Sequence, residues 1–210
     1  MEDDKIKYIH QNGVDFVISP GGVLTRMMHF SQPVDCHIPS VFPTGERITA
    51  LGGGFVWGTF GCITIDDSIS VIRQAAFQNA HVHKVVWPKS CEEIPPYCFD
   101  ESIIEEISNI ENIKSIAAYA FYGAGIQEFT WPCGCKEVSP FCFGRSSLKK
   151  ISNLSGVTRV CQGAFLEDQF TEPVDLSASF AEIDNTAFYG VCSDMVLLPW
   201  YTSNNVFEPF

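Results

Sequence analysis

The chain has 210 residues, with 25 acidic and 13 basic side chains and a formal net charge of −12. At 46% hydrophobic, it is too apolar to remain disordered. Its acidity also excludes a strongly basic nucleic-acid binder, which phosphate would repel.

The start, Met1-Glu2-Asp3-Asp4-Lys5, is acidic and has no apolar run behind it of the kind an export leader needs. No stretch approaches the ~20 apolar residues of a membrane helix. The expectation is a cytoplasmic protein without membrane contact. The nine cysteines agree, because an odd thiol is awkward in a secreted disulfide framework. Residues 6–9 and Val14–Ile18 read as strands joined by Gln11-Asn12-Gly13, a hairpin signal. Ser19-Pro-Gly-Gly22 is a turn. Residues 1–47 are predicted to form an N-terminal β cap.

Beyond residue 47 the chain repeats. Phe77, Phe99, Phe121, Phe143, Phe165 and Phe188 follow one another at intervals of 22, 22, 22, 22 and 23. Five residues before each comes an aliphatic: Ile72, Ile94, Ile116, Val138, Val160 and Ile183. A weaker unit precedes them with Phe55, Phe60 and Ile63, and the fifth unit drifts at Pro173-Val174. About seven units therefore cover 48–200, with 201–210 as a C-terminal cap that uses Phe207 and Phe210. Each unit reads as a short strand such as Lys84–Trp87, a breaker such as Pro88, a second extended piece near Ile94, and a turn around the phenylalanine. One coil cannot bury its apolar side alone, so neighbours must stack. A longer period overlies the first: Trp87, Asn109, Trp131 and Asn153 alternate at one position. The expectation is a shared core position, a large ring on one rung beside a small amide on the next.

These units resemble the BspA-type (Treponema pallidum-type) leucine-rich repeat family. Ile63-Thr-Ile65, Ile72-Arg-Gln-Ala-Ala-Phe77, Ile116-Ala-Ala-Tyr-Ala-Phe121 and Val160-Cys-Gln-Gly-Ala-Phe165 carry the likeness. The period lies within the ~20–29 residues of leucine-rich repeats. The resemblance implies a β-rich solenoid, a right-handed coil with a parallel sheet and ~22-residue repeats. It also implies an interaction protein, often on a cell surface, with no catalytic residues and no cofactor.

The candidate chemistry is thin. Cys91 and Cys135 share a phase, as do Cys98 and Cys142, and each pair is two rungs or roughly 10 Å apart. That exceeds the ~7 Å reach of a disulfide. Cys98 and Cys142 precede the core phenylalanine and read as small buried hydrophobes. Cys133-Gly-Cys135 offers two zinc ligands without a second pair. Asp35-Cys36-His37 lists the groups of a thiol enzyme, yet adjacent residues rarely converge as nucleophile and base. His81 and His83 are expected in solvent. A thiol- or zinc-dependent enzyme thus stands only as an alternative.

Two features point to binding. Strand alternation turns Lys84, Glu106, Glu128, Lys150 and Glu172 outward in one row, and Val86, Ser108, Thr130, Ser152 and Val174 in another. Moreover, no Lys or Arg follows Arg159, while Glu167, Asp168, Glu172, Asp175, Glu182, Asp184, Asp194 and Glu208 do. The leading expectation is a non-enzymatic protein-interaction module. It would hold a basic protein partner through Lys84, Val86, Glu106, Ser108, Glu128, Thr130, Lys150, Ser152, Glu167, Asp168, Glu172 and Asp175. One version is an inhibitor or decoy in a basic groove; a surface adhesin is the other non-enzymatic alternative.

Overall fold

The computed structural model describes residues 5–179 and 181–199, and only the backbone at Phe30; the expected closure by Phe207 and Phe210 lies outside that range. The predicted hairpin is present. Asn12 and Gly13 supply φ values of 53° and 79°, as a tight two-residue turn requires. They join β1 (Lys7–Gln11) to β2 (Val14–Ser19) in antiparallel register, Tyr8 opposite Val17. The chain returns through β3 (Val23–Ile38), a strand of 16 residues.

β3 then becomes the first rung wall of the coil. β4 (Ala50–Leu51) and β5 (Val56–Ile65) run parallel to it, so strands before and after residue 47 share one sheet. β6 (His81–Val86) and β8 (Ile103–Ser108) extend this sheet in parallel. The same side continues as β10 (Glu128–Thr130) beside β12 (Lys150–Ser152), then β14 (Val174–Asp175) beside β16 (Val196–Leu197). A second side is built of two-residue strands. β7 (Glu93–Ile94) pairs with β9 (Ser115–Ile116), and β11 (Glu137–Val138), β13 (Arg159–Val160) and β15 (Glu182–Ile183) follow. The molecule is a β-solenoid of about seven turns.

The third side is the turn around each repeated phenylalanine. Phe77, Phe99, Phe121, Phe143 and Phe165 are fully buried. Their rings stack at centroid distances of 5.1, 5.2, 5.0 and 5.8 Å. Phe55 packs edge-on against Phe77 at 5.1 Å, so the degenerate first unit joins the same core. Each Phe amide also donates to the rung above, as from Phe99 to Ala120 O at 2.7 Å and from Phe121 to Cys142 O at 2.8 Å. Two residues before the ring, Tyr97, Tyr119 and Phe141 take positive φ; two residues after it, Asn79, Glu101, Arg145 and Glu167 do the same. Left-handed backbone costs ~1–2 kcal/mol per non-glycine residue, and the rung-to-rung hydrogen bonds hold it in place.

The tryptophan–asparagine alternation has a different cause from the one expected. Trp87 and Trp131 are buried and donate from Nε1 to Cys91 O and Cys135 O at 3.0 and 2.9 Å. Asn109 and Asn153 do not share that core position. Their φ values are 62° and 67°, and Asn153 is exposed, with Nδ2 donating to Trp131 O at 2.7 Å. The left-handed turn sends the next residue inward instead, Ile110 or Leu154. Asparagine is there because it tolerates that backbone.

Candidate functional site

The long side of the coil presents the two predicted outward rows. Lys84 is opposite Glu106 and Val86 opposite Ser108 on β6 and β8; Glu128 is opposite Lys150 and Thr130 opposite Ser152 on β10 and β12. Inward neighbours such as Val85 are fully buried while these residues are half-buried or exposed. The charged row is largely self-paired. Lys84 Nζ contacts Glu106 Oε1 at 2.6 Å and Lys150 Nζ contacts Glu172 Oε1 at 2.9 Å. These hydrogen bonds hold both ammonium groups above the usual lysine range.

That pairing follows a rule. His83–Glu105, Lys84–Glu106, Lys89–Asp67, Lys114–Glu92, Arg145–Glu167, Lys150–Glu172 and Arg159–Glu137 all join residues one repeat of 22 apart. Stacking brings equivalent positions to strand spacing, so opposite charges at one phase meet on adjacent rungs.

Three expectations change here. Asp168 is not a surface acid: it is 2% exposed. It occupies the phase filled by Ala80, Ser102, Ala124, Ser146 and Val191, three residues after the core ring, which faces inward. Val174 is also buried, because the drift at Pro173 moves it one position and brings it into register with Val196 on β16. The acidic end is weaker than its sequence. Glu167 and Glu172 are neutralised from the preceding rung by Arg145 and Lys150. Asp175 and Asp184 accept from the backbone and hydroxyl of Ser177 and Thr186. Among the described residues, no side-chain hydrogen bond or ion pair engages the carboxylates of Glu182 and Asp194.

The structure adds a band that the sequence reading missed. Tyr8 faces Val17, which faces Arg26, across β1, β2 and β3. The Arg26 guanidinium lies 5.8 Å from the centre of the Trp57 ring, whose Nε1 donates to Gly54 O. Further across, Thr59, His81 and Ile103 are in register on β5, β6 and β8. Tyr8, Trp57 and Ile103 are 77%, 53% and 53% exposed. The available signal was phase. Trp57 alternates with buried Val56, and Ile103 precedes buried Ile104, so both large apolar residues fall on outward positions.

The thiol candidates separate into inert and isolated groups. Cys36 is buried, and desolvation pushes its thiol up to about 12. Asp35 Oδ1 accepts from the Cys62 amide at 2.8 Å across an irregular β3–β5 register. A Cβ on Gly61 would fall 2.5 Å from that oxygen, so the glycine leaves room for the carboxylate. Asp35 is thus occupied in holding the strand, while His37 is exposed on the other face from Cys36. Cys133 is exposed and Cys135 buried within the turn between β10 and β11, so the two thiols do not share one environment. Cys98 and Cys142 are fully buried and burial pushes both thiols well up. All nine cysteines are free, and no cluster of three metal-binding side chains occurs among the described residues. No helix among the described residues is long and apolar enough to cross a membrane.

Comparison with known proteins agrees with this geometry. Residues 70–196 match the BspA type leucine rich repeat region in six copies. The fold is similar to a leucine rich cell surface protein of Faecalibacterium prausnitzii, with TM-score 0.59, 17% identity and coverage of 92% of this chain and 55% of that one. It is also similar to a leucine-rich repeat protein of Bacteroides ovatus, with TM-score 0.56, 19% identity and coverage of 90% and 56%. The chain therefore spans just over half the length of each. No curated protein matches significantly. With more than half of its length matched by the repeat, the chain belongs to the BspA-type leucine-rich repeat family.

Proposed function

We propose that the chain is a non-catalytic protein-interaction module whose partner lies across the outer face of the long sheet. The contact would run from Tyr8, Arg26 and Trp57 through His81 and Ile103 to the rows of Lys84 and Val86. The observation that carries this reading is the half-exposure of Trp57 and Ile103 on β5 and β8, either side of β6. Large apolar groups exposed together and rimmed by charge mark contact surfaces. Trp, Tyr and Arg are the residue types that dominate measured binding energies. Lys84–Glu106 and its counterparts form the polar rim and contribute register more than affinity.

A basic patch on the partner would extend the contact to the acidic end. Its available charge is Asp175, Glu182, Asp184 and Asp194, since Glu167 and Glu172 are paired and Asp168 is buried. An inhibitor filling a basic groove is the version that depends most on those acids. The test is capture of partners by the purified protein, followed by cross-linking and mass spectrometry. Trp57→Ala with Ile103→Ser should abolish capture while the circular dichroism spectrum is retained. Glu182→Lys with Asp194→Lys should weaken it at low salt only. Capture unchanged by the first pair overturns the sheet face as the site.

A second reading, adhesion at a cell surface, is favoured by the fold shared with the F. prausnitzii cell surface protein. Protease shaving of intact source cells, with detection of this chain in the released peptides, supports that location; its recovery only after lysis overturns it.

A further inference from the structure

The described residues contain one buried side-chain polar atom without a hydrogen-bond partner, Asp168 Oδ2. The other oxygen, Oδ1, accepts from Ser146 Oγ at 2.9 Å, one rung back. At the same phase the remaining units place Ala80, Ser102, Ala124, Ser146 and Val191, groups that need no counter-charge. Asp168 is the exception to a row built for small or apolar side chains.

Among the described residues, its surroundings supply no cation. Ser146 comes from the rung before, and the Cys142 thiol of that rung is close enough to be pushed up by the carboxylate. Arg145 turns outward onto Glu167 at 3.0 Å. Lys149, with Arg145, Ser147 and Gln169, lines a surface depression beside these turns, of which Asp168 is not a lining residue. A carboxylate in this position is stripped of water and unpaired, which is costly; a protonated acid is tolerated there.

We propose that Asp168 is a proton-dependent latch that holds the last rungs of the solenoid in place when protonated and loosens them when ionised. In a stacked coil each rung contacts only its neighbours, so a fault near one end frays that end rather than unfolding the whole. Beyond Asp168 the last rung is attached by the two-residue pairings of β13 with β15 and β14 with β16 and by bonds and ring contacts between turns. Glu167 N donates to Tyr189 O, Leu176 N donates to Leu197 O, and Phe165 stacks on Phe188 at 5.1 Å. Desolvation, the largest influence, raises the Asp168 carboxyl to about 8, and the Ser146 bonds offset it only in part.

The sign follows from proton linkage. An exposed aspartate titrates near ~3.9. Between that value and about 8 the closed end binds a proton that the opened end releases. Stability of the end is fully present below the lower value and is lost as pH rises through the upper one. The opening equilibrium should therefore rise by about tenfold per pH unit across the middle of this window and level off above it.

The experiment is hydrogen exchange of the full chain from pH 5 to pH 9, corrected for intrinsic exchange rates. Peptides from 166–197 should lose protection at close to tenfold per unit up to about pH 8 and level off above it, and peptides from 84–131 should not. Asp168→Ser, which copies Ser102 and Ser146, should remove the slope, and Asp168→Asn provides an isosteric second variant. The same slope in wild type and in both variants overturns the latch. So does a loss of protection spread evenly along the coil.

Discussion

The two halves of the solenoid hold their rungs together by different means. In the N-terminal half, β3, β5, β6 and β8 are 16, 10, 6 and 6 residues long and share one hydrogen-bonded sheet. In the C-terminal half the equivalent strands β10, β12, β14 and β16 shrink to 3, 3, 2 and 2 residues. There strand pairing contributes less, and more of the holding falls to the turn backbone bonds, the phenylalanine stack and the ion pairs one repeat apart that both halves share. A continuous backbone ladder tolerates side-chain variation, because its bonds do not depend on residue type. A ladder of side chains does not. The exposed aromatic band lies on the first half, and the unpartnered acid lies in the second.

The strongest way to break this contrast is to remove one ring from each half. Phe143 stacks between Phe121 and Phe165 and touches Phe129 and Trp131. Phe143→Ala should cost about 3–5 kcal/mol in chemical denaturation, with protection lost first after residue 128. Phe77→Ala should cost a similar amount but leave β5 and β6 protected until global unfolding. Equal local loss in both would show that the strand lengths do not matter.

Next in size is a backbone test of the first half. Gly58 has φ 103°, and a Cβ there would lie 1.6 Å from His29 O. Gly58→Ala should destabilise by at least about 1–3 kcal/mol through strain and disturb the β3–β5 junction, seen as faster exchange at Met27 and Met28. Smaller still is Asn153→Val, which places a β-branched residue at positive φ. It should cost about 1–2 kcal/mol, whereas Asn153→Gly should be close to neutral. The smallest effect belongs to Lys150→Ala. This pair is solvent-screened, so its loss should barely move the denaturation midpoint, and less at high salt.

The pH profile sharpens the same contrast. Asp66 and Asp175 are held below the usual aspartate range by hydrogen bonds from Ser68 and Ser177. Their contributions are present above ~3.9 and are lost as pH falls through their lowered values. Asp168 runs the other way. Wild type should therefore be most stable on the acid side of neutrality, and Asp168→Ser should move that optimum upward in a melting-temperature series.

The repeat was legible in the sequence because a solenoid writes its contacts at a fixed interval. The phase of Phe77 through Phe188 identified the coil, the outward rows and the inert cysteines. Features that break phase were not legible. Asn109 and Asn153 looked like core residues because a one-position turn of the backbone leaves the spacing unchanged. The outward band was less legible because Tyr8 and Arg26 lie in the N-terminal cap outside the repeats and Trp57 lies in the degenerate first unit.

What the sequence determined by itself was the coil, its period, and, except at β14, which face of the long-side strands meets the core. Hydrophobic periodicity and strand alternation are local rules, readable from spacing. What only the tertiary structure decided was the state of each charge. Stacking rungs at strand distance pairs Arg145 with Glu167 and Lys150 with Glu172, and it seals Asp168 from water. Whether an acid is free, paired or buried depends on neighbours a whole turn away, and composition counts all three alike.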